Sequence, residues 1–165
     1  MKITDTHIYF YGSIFSNFFF LPITYEMQRF PTTEHAFMWK KAMTFGCLDI
    51  AQKIKEIPHP RGAKALGREI PNFNPRMWDS MSYDIMLEVN RPKWTKLKDV
   101  LELTANRTIV EASPYDKIWG VGLSENDSRI LDEANWQGKN LLGKVIMQLR
   151  EELKFETKFI DPLNI

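Results

Sequence analysis

Residues that build disulfides and metal sites are scarce in this sequence. It has a single cysteine, Cys47, which excludes internal disulfides and any cysteine-based zinc site. The three histidines lack metal-site spacing, and no His-Glu-x-x-His motif occurs. The eight glycines form neither a G-x-G-x-x-G fingerprint after a strand nor a Walker A sequence. These absences argue against zinc hydrolysis and hydride transfer, and we expect no metal and no cofactor.

Net charge and long hydrophobic runs are also lacking. The 22 basic and 21 acidic residues give a net charge of +1, so no overall electrostatic field draws the protein to nucleic acid or to a membrane. Between Lys53 and Arg76 six of the eight charged residues are basic, which fits either a local anion site or a solvated helix face. No segment reaches membrane-spanning length, and the first ten residues contain no apolar core of signal length. We therefore expect a cytoplasmic protein without membrane contact.

The residues that are present suffice for one ordered domain. With 165 residues, 44% of them hydrophobic and 13% aromatic, the chain predicts a single domain over 1–165. Helical periodicity dominates, so the predicted fold class is mainly α with a small β element. The predicted elements are a strand Ile3–Phe10, an edge strand Tyr25–Phe30, a helix capped by Thr32 and ending near Phe45, a helix Leu48–Glu56, a helix from about Pro60, a long helix from Pro75 that breaks or kinks near Arg91–Pro92, a helix Thr95–Leu103, a strand Thr108–Ala112, a loop Ser113–Gly138, and a helix capped by Asn140 that ends near Phe155.

The first strong helix brings a carboxylate and an amine to one line. Glu34 and Lys41 are seven residues apart, and seven helical residues advance about 700°, so both side chains lie on one face. An ionised pair that faces a core is costly unless it is solvated or used. A helix with a merely wet polar face explains the pattern equally well. The adjacent His35 and the position of Glu34 in the first turn favour a site.

Two further segments carry groups suited to a flat, phosphorylated ligand. In the first, Asp116 precedes Trp119 by three residues and Gly120 follows, so that an acid and an aromatic ring can reach one ligand. The structural alternative is an Asx-turn at Asp116 with a buried Trp119. In the second, Gly138 and Asn140 open the last helix, where free N–H groups can bind phosphate. Every capped helix offers that geometry, so this feature is weak alone.

Taken together, these stretches resemble the NADAR family, which is named for its association with NAD and ADP-ribose metabolism and includes the YbiA-like proteins. The resemblance spans nearly the whole chain, and the order of the motifs makes it specific. The matching stretches are Phe15–Phe18, Pro31–His35, Lys41–Ala42, Ala63–Lys64, Gly67–Arg68, Trp78, Lys93–Trp94, Glu111–Ala112, Asp116, Trp119–Gly122, Gly138, Asn140, Leu142–Gly143 and Arg150. The family commonly has Lys-Phe at Lys93–Trp94, and Arg91–Pro92 is an unusual neighbour. These departures leave the choice of substrate open.

The resemblance implies a single compact YbiA-like domain that acts as an N-glycosidase on ribosylated bases. Two substrate classes are associated with the family: phosphoribosylated pyrimidine intermediates of riboflavin biosynthesis, and ADP-ribose attached to guanine in nucleic acid. The expected catalytic residues are Glu34, Lys41 and Asp116. The expected substrate-binding residues are Asn17, His35, Lys64, Arg68, Trp78, Trp119, Gly120, Gly138 and Asn140.

Chemistry assigns roles to these residues. Breaking a C1′–N bond passes through an oxocarbenium-like sugar and requires the leaving base to be stabilised or protonated. We expect Glu34 to orient water or stabilise the cationic sugar, and Asp116 to bond the base or ribose or to act as the acid. The other expected contacts are stacking on the base by Trp78 and Trp119, and phosphate binding by Lys64, Arg68 and the amides near Asn140.

Lys41 has two chemically sound roles. It can pair with Glu34 and keep that carboxylate ionised, or its amine can attack C1′ and form an imine, which requires a lowered pKa. Two other protein classes also fit the sequence. One is a module that binds ADP-ribose or a phosphoribosyl nucleotide without cleaving it. The other is an assembly protein that uses the aromatic segment Phe15–Phe20, although we expect most of those rings in the core. The oligomeric state stays open.

Overall fold

Helices make up most of the regular structure in residues 1–158, the part of the chain that this computed structural model describes. In chain order the elements are β1 Lys2–Ile3, β2 His7–Phe10, β3 Ile23–Tyr25, β4 Gln28–Phe30, α1 Thr33–Thr44, α2 Leu48–Glu56, α3 Pro60–Leu66, α4 Pro75–Lys96, α5 Lys98–Leu103, β5 Thr108–Glu111, two 3₁₀ turns at Ser128–Leu131 and Glu133–Asn135, and α6 Leu141–Lys158. The predicted class, mainly α with a small β element, is confirmed. Within these residues no helix is long and apolar enough to span a bilayer.

The chain divides into two compact units. Ile14–Lys93 forms one of them, and Met1–Ser13 together with the described part of the chain from Trp94 onward forms the other. We call them the central unit and the terminal unit. The single domain over 1–165 stays a prediction.

The central unit begins with a hairpin and continues with three short helices. β3 and β4 pair antiparallel, with Ile23 opposite Phe30. The predicted single strand Tyr25–Phe30 is wrong, because Glu26 and Met27 adopt φ of 45° and 60° and turn the chain back. These residues lack the glycine or asparagine that such a turn ordinarily carries, so the local pattern does not reveal it. α1 then packs against α2, α3 and β4.

The predicted caps of α1 are confirmed. The Thr32 hydroxyl accepts a hydrogen bond from the His35 amide at the start of the helix. At its end Phe45 is the C-cap, and Gly46 follows with a φ of 71°, a left-handed conformation that glycine adopts without strain. The helix bounds predicted for α2 are also confirmed.

Of the break or kink predicted near Arg91–Pro92, the break is wrong, because α4 continues through Pro92 to Lys96. A proline removes one backbone donor from a helix interior and its ring crowds the preceding turn. The flanking residues Val89, Asn90 and Lys93 are fully or almost fully buried. Packing of these side chains compensates for the missing hydrogen bond, and such tertiary packing is invisible in a local pattern.

The terminal unit contains a three-stranded sheet in the order β1-β2-β5, with α6 packed on β5. The predicted strand Ile3–Phe10 is confirmed over His7–Phe10 but is not continuous, since the chain turns between β1 and β2 and the Thr4 amide donates to the His7 carbonyl at 2.9 Å. β2 and β1 are antiparallel, whereas β2 and β5 are parallel, with His7 opposite Thr108. Ile109 and Val110 of β5 are fully buried, and Val110 belongs to an apolar cluster with Tyr9, Ala112, Val121, Leu123 and Ile130.

Candidate active site

Hydrogen bonds lock the first turn of α1 in place. The Thr32 hydroxyl accepts from the His35 amide at 3.3 Å and lies 2.7 Å from His35 Nδ1. The Nε2 atom of His35 lies 3.0 Å from the Ile57 carbonyl. A carbonyl can only accept, so Nε2 donates and Nδ1 accepts from the Thr32 hydroxyl. Burial lowers the pKa of His35, which favours this neutral ring. Both ring nitrogens of His35 thus anchor α1.

Asn17 connects the loop before β3 to the same helix turn. Its carbonyl accepts from the Glu34 amide at 3.1 Å. The Thr33 hydroxyl is shared between that carbonyl, at 3.2 Å, and the side-chain Oδ1 of Asn17, at 3.0 Å. Oδ1 also accepts from Asn90 at 3.2 Å, and Nδ2 of Asn17 lies 3.1 Å from the Met86 sulfur. The buried Asn17 therefore fixes the backbone from which the Glu34 carboxylate projects.

Lys41 is half-buried between a carbonyl and two aromatic rings. Its Nζ donates to the Gly67 carbonyl at 2.8 Å. The same atom lies 4.2 Å from the ring centroid of Phe73 and 5.8 Å from that of Trp78. This arrangement holds the amine in a fixed place and removes part of its water shell.

Lys41 belongs to an electrostatic cluster with Glu34 and Arg68. Burial lowers the pKa of the Lys41 ammonium, the positive charge of Arg68 lowers it further, and the negative charge of Glu34 opposes both. Glu34 is 5% exposed, whereas Arg68 is exposed. A buried carboxylate and an exposed guanidinium therefore both act on the protonation of the half-buried Lys41 amine, which is a combination suited to proton transfer beside an anion.

The aromatic groups near this cluster differ in how open they are. Trp78 is 7% exposed, and its ring packs 5.2 Å from Phe37 and 6.4 Å from Phe45, centroid to centroid. Phe73 is 37% exposed and its ring lies 5.2 Å from that of Phe45. Phe73 therefore has the more open ring beside Lys41. Lys64 is half-buried, with its Nζ 5.8 Å from the Phe18 ring.

In the terminal unit Asp116 shapes the segment that carries Trp119. Its Oδ1 accepts from the amides of Ile118 at 3.0 Å and Trp119 at 2.8 Å. The Asx-turn set out as the structural alternative is thus confirmed. The buried Trp119 of that alternative is not found, because Trp119 is half-buried. The turn fixes the backbone from which the Trp119 side chain projects.

The start of α6 docks onto the same segment through its backbone. The amides of residues 139–142 donate to the carbonyls of residues 117–120, at 2.9–3.2 Å. Phosphate binding by these amides, predicted from the helix start, is therefore wrong, because their hydrogens are already used. The close approach depends on Gly138, where a Cβ atom would lie 2.2 Å from the Gly120 carbonyl. Gly120 is similarly confined, with a Cβ position 2.9 Å from the Asp116 carbonyl.

Asn140 directly precedes α6, but its side chain forms hydrogen bonds to the backbone of β5. Its carbonyl accepts from the Lys144 amide at 3.1 Å, while Oδ1 accepts from the Glu111 amide at 3.0 Å and Nδ2 donates to the Ile109 carbonyl at 2.9 Å. The side-chain cap predicted for α6 is therefore replaced by a bridge to the strand. Gly143 makes room for it, since a Cβ there would lie 2.0 Å from the Ile109 carbonyl.

The predicted site residues thus fall into two groups, one in each unit. The central unit holds Asn17, Glu34, His35, Lys41, Lys64, Arg68 and Trp78, and the terminal unit holds Asp116, Trp119, Gly120, Gly138 and Asn140. Within each group, the contacts and charge interactions described above connect the residues to one another. Lys64 is the exception, because its described contact is with Phe18, which is not one of the predicted site residues. Residue patterns missed the Gly67 carbonyl and Phe73 as neighbours of Lys41. Phe73 lies between Asn72 and Asn74 in the sequence, and an aromatic residue between two polar ones is the signal that could have revealed it.

Comparison with known proteins identifies relatives that match most of the chain. The NADAR domain profile matches residues 9–154. The N-glycosidase R617 of Acanthamoeba polyphaga mimivirus is 40% identical over 167 residues, which cover 90% of this chain and 97% of that protein. The riboflavin biosynthesis protein PYRR of Zea mays, a chloroplast protein, is 32% identical over 133 residues, which cover 74% of this chain and 20% of that protein.

The fold matches a solved structure as well. The NMR structure of the Escherichia coli protein YbiA superposes with a TM-score of 0.79 and 28% sequence identity, covering 99% of this chain and 94% of the other. In sequence the E. coli N-glycosidase YbiA is 31% identical over 160 residues, which cover 92% of this chain and 91% of that protein. The helices and small sheets described above are therefore arranged in a YbiA-like fold.

Proposed function

We propose, because the chain belongs to the NADAR family, that it is an N-glycosidase that hydrolyses the bond between a base and a ribosyl phosphate. The names of the relatives R617 and YbiA support this reaction type. The name of the maize relative PYRR supports a substrate from riboflavin biosynthesis, a phosphoribosylated pyrimidine. A net charge of +1 also fits a small substrate better than a long polyanion.

The observation that carries the proposal is the cluster of Glu34, Lys41 and Arg68. Glycosidic bond cleavage needs a carboxylate close to C1′, and the buried Glu34 carboxylate meets that need on a backbone held by Asn17. Arg68 is exposed, acts electrostatically on Lys41 and is the proposed positive charge for the phosphate. Lys64, on the preceding helix α3, is the second proposed phosphate contact.

Lys41 is the proposed nucleophile. Its unprotonated Nζ attacks C1′, the C1′–N bond breaks, and the base leaves with the bonding electrons and a proton. Opening of the sugar ring turns the adduct into an imine, which water hydrolyses to regenerate the amine and release ribosyl phosphate. The lowered pKa of Lys41 raises the share of nucleophilic amine at neutral pH. Glu34 takes and returns the protons in these steps and stabilises the positive charge at C1′.

Asp116 and Trp119 are the proposed contacts to the base. The Asx-turn fixes the backbone of Trp119 relative to Asp116, three residues earlier in the chain, and we propose that a base stacks on Trp119 with its polar edge toward that acid. Stacking on an aromatic ring contributes on the order of 1–3 kcal/mol per base. Gly120, Gly138 and Asn140 shape this loop, and His35 and Asn17 position α1.

Offering the protein both candidate substrates tests the function. Phosphoribosyl pyrimidine intermediate and guanine-ADP-ribosylated DNA are incubated separately, and released base or released ADP-ribose is quantified by chromatography. We expect base release from the pyrimidine substrate. Release from the DNA instead would reassign the substrate. Tight binding by calorimetry without any release would establish a non-catalytic binding module and overturn the enzyme.

Two variants and one trap test the mechanism. Glu34→Gln is expected to lower kcat by roughly 10²-fold or more, whereas Glu69→Gln, an exposed carboxylate beside Arg68, is the matched control with near-normal turnover. Borohydride added during turnover is expected to link the sugar covalently to Lys41, as located by peptide mass spectrometry. Turnover without a trapped adduct would remove the imine route and leave water, activated by Glu34, as the nucleophile.

A further inference from the structure

A lysine lies in the core of the central unit, outside the cluster described above. Lys93 is 1% exposed, and its Nζ donates to the Ser16 carbonyl at 2.7 Å and lies 5.8 Å from the Phe19 ring centroid. A buried cation is costly, and a well-packed apolar side chain of similar volume is often neutral or stabilising in its place. Stability alone therefore does not explain a lysine at this position.

The segment that Lys93 contacts is a tight turn. The Ser16 carbonyl also accepts from the Phe19 amide at 3.1 Å, and the Ser16 hydroxyl accepts from the Phe18 amide at 3.1 Å. Lys93 thus adds a donor from α4 to a carbonyl that already closes the turn. The next residue in the chain is Asn17, whose carbonyl receives the Glu34 amide.

A second side chain of α4 holds the same turn. Asn90 precedes Lys93 by three residues, so the two lie on one face of the helix. Asn90 is fully buried, and its Nδ2 donates to Asn17 Oδ1 at 3.2 Å and to the Met86 carbonyl at 3.1 Å. Two consecutive residues of the turn, Ser16 and Asn17, are therefore each held by a polar side chain of α4.

We propose that Lys93 and Asn90 are positioning residues that hold the Ser16–Asn17 turn in register with the Glu34 amide and thereby place the Glu34 carboxylate. The path is continuous: Lys93 to the Ser16 carbonyl, Asn90 to the Asn17 side chain, and the Asn17 carbonyl to the Glu34 amide. Burial lowers the pKa of Lys93 to about 7, yet both the ammonium and the neutral amine can donate to a carbonyl. The consequence for turnover rests on the proposed function.

The test compares Lys93→Met with a matched loss of packing. Lys93→Met keeps an unbranched stem and removes the donor. Val89→Ala is the control, because Val89 is fully buried on the same helix and the hydrogen bonds of the turn do not depend on its side chain. Hydrogen exchange of the Glu34 amide is measured by NMR, each rate being corrected for global stability from urea unfolding. We expect roughly tenfold faster exchange in Lys93→Met and an unchanged corrected rate in Val89→Ala.

Turnover supplies the second readout. We expect Lys93→Met to lower kcat by roughly 10- to 100-fold with KM nearly unchanged, since displacement of a catalytic group acts on the chemical step. Lys93→Gln restores a shorter donor and is expected to recover part of both readouts. If Lys93→Met does not fold, Asn90→Ala removes the bond to Asn17 and serves in its place.

The outcomes distinguish a failure of the positioning role of Lys93 and Asn90 from a failure of the proposed N-glycosidase function. Normal Glu34 exchange in both Lys93→Met and Asn90→Ala would overturn the positioning role, whatever the activity. If the corrected exchange rate of the Glu34 amide changed equally in Lys93→Met and Val89→Ala, the positioning role would also be overturned, because loss of packing would then explain both changes. Absence of turnover in the wild-type protein would instead defeat the proposed function and leave the exchange comparison valid.

Discussion

The Nζ atom of Lys41 lies 4.2 Å from the centre of the Phe73 ring, so an aromatic face covers one side of the amine. A ring face and the Gly67 carbonyl both favour the charged ammonium. Burial and the neighbouring Arg68 favour the neutral amine, and the pKa of Lys41 is lowered as a result. The balance between these groups controls how much of Lys41 is the neutral amine at neutral pH.

Two substitutions of charged residues near Lys41 are expected to shift the pKa of Lys41 in opposite directions. Arg68→Met removes a positive neighbour and is expected to raise the pKa of Lys41, whereas Glu34→Gln removes a negative neighbour and is expected to lower it. The measurement is an NMR titration of the Lys41 ε-carbon in ¹³C-lysine-labelled protein, which does not depend on activity. Arg61→Met, on α3, is the control and is expected to leave the pKa unchanged. Shifts of the same sign in Arg68→Met and Glu34→Gln would contradict the electrostatic assignment.

If Lys41 is the nucleophile, the same balance sets the pH dependence of turnover. The reactive form is the neutral amine, so kcat should rise with pH and level off above the lowered pKa of Lys41. In Arg68→Met the rise should move to higher pH, because the pKa of Lys41 is higher there. A profile of kcat against pH, measured at saturating substrate, checks this. An unchanged midpoint in Arg68→Met would show that another group limits the rate.

Gly138 is predicted to be intolerant of any side chain. An added Cβ would lie 2.2 Å from the Gly120 carbonyl and 2.8 Å from the Lys117 carbonyl, and backbone atoms cannot rotate away. We expect Gly138→Ala to lower the free energy of unfolding by roughly 2–3 kcal/mol. Urea unfolding followed by tryptophan fluorescence measures the difference.

The matched control for that variant is Gly62→Ala. A Cβ at Gly62 would lie 2.3 Å from Ile57 Cδ1, the end of a half-buried side chain that can adopt another rotamer. Alanine in a helix also gains about 1 kcal/mol over glycine, which offsets part of the strain. The expected change is therefore within about 1 kcal/mol of zero. Equal losses in the two variants would contradict the importance of the backbone contact.

Local signals predicted the elements that local interactions determine. Thr32 and Gly46 predicted the start and the end of α1, because helix capping depends on interactions with neighbouring backbone groups. The hairpin turn at Glu26 and Met27 carried no such signal, since neither residue favours a positive φ. The strand pairing beyond the turn imposes that conformation, and a sequence pattern does not contain it.

The candidate site shows the same limit. Glu34 and Lys41 could be placed on one helix line from their spacing. The Gly67 carbonyl and the Phe73 ring beside Lys41 belong to a different part of the chain and are brought there by packing of α3 against α1. The amides before α6 were predicted to be free for phosphate, but the loop at 117–120 occupies them. Tertiary hydrogen bonds, not local geometry, decide which polar groups stay available.

Asn140 is predicted to matter for stability through both its side chain and its backbone. Its φ is 53°, a conformation that costs most residues about 1 kcal/mol or more. Asn140→Ala would add that strain and would remove the hydrogen bonds of the Asn140 side chain to the Glu111 amide and the Ile109 carbonyl. We expect a loss of about 3 kcal/mol in the free energy of unfolding for Ala, and roughly 1 kcal/mol less for Gly. Urea unfolding of both variants checks the order, and a less stable Gly variant would contradict the strain argument.

The buried Lys93 predicts how stability changes with pH. Burial lowers its pKa in the folded protein to about 7, whereas an unfolded chain keeps the ordinary value near 10.5. Between these values the unfolded state binds more protons, so the free energy of unfolding contributed by this group rises with pH. From pH 7 to pH 9 we expect the wild-type protein to gain about 2 kcal/mol relative to Lys93→Met. Urea unfolding of both proteins at the two pH values measures the gain, and parallel pH profiles would show that Lys93 remains charged in the core.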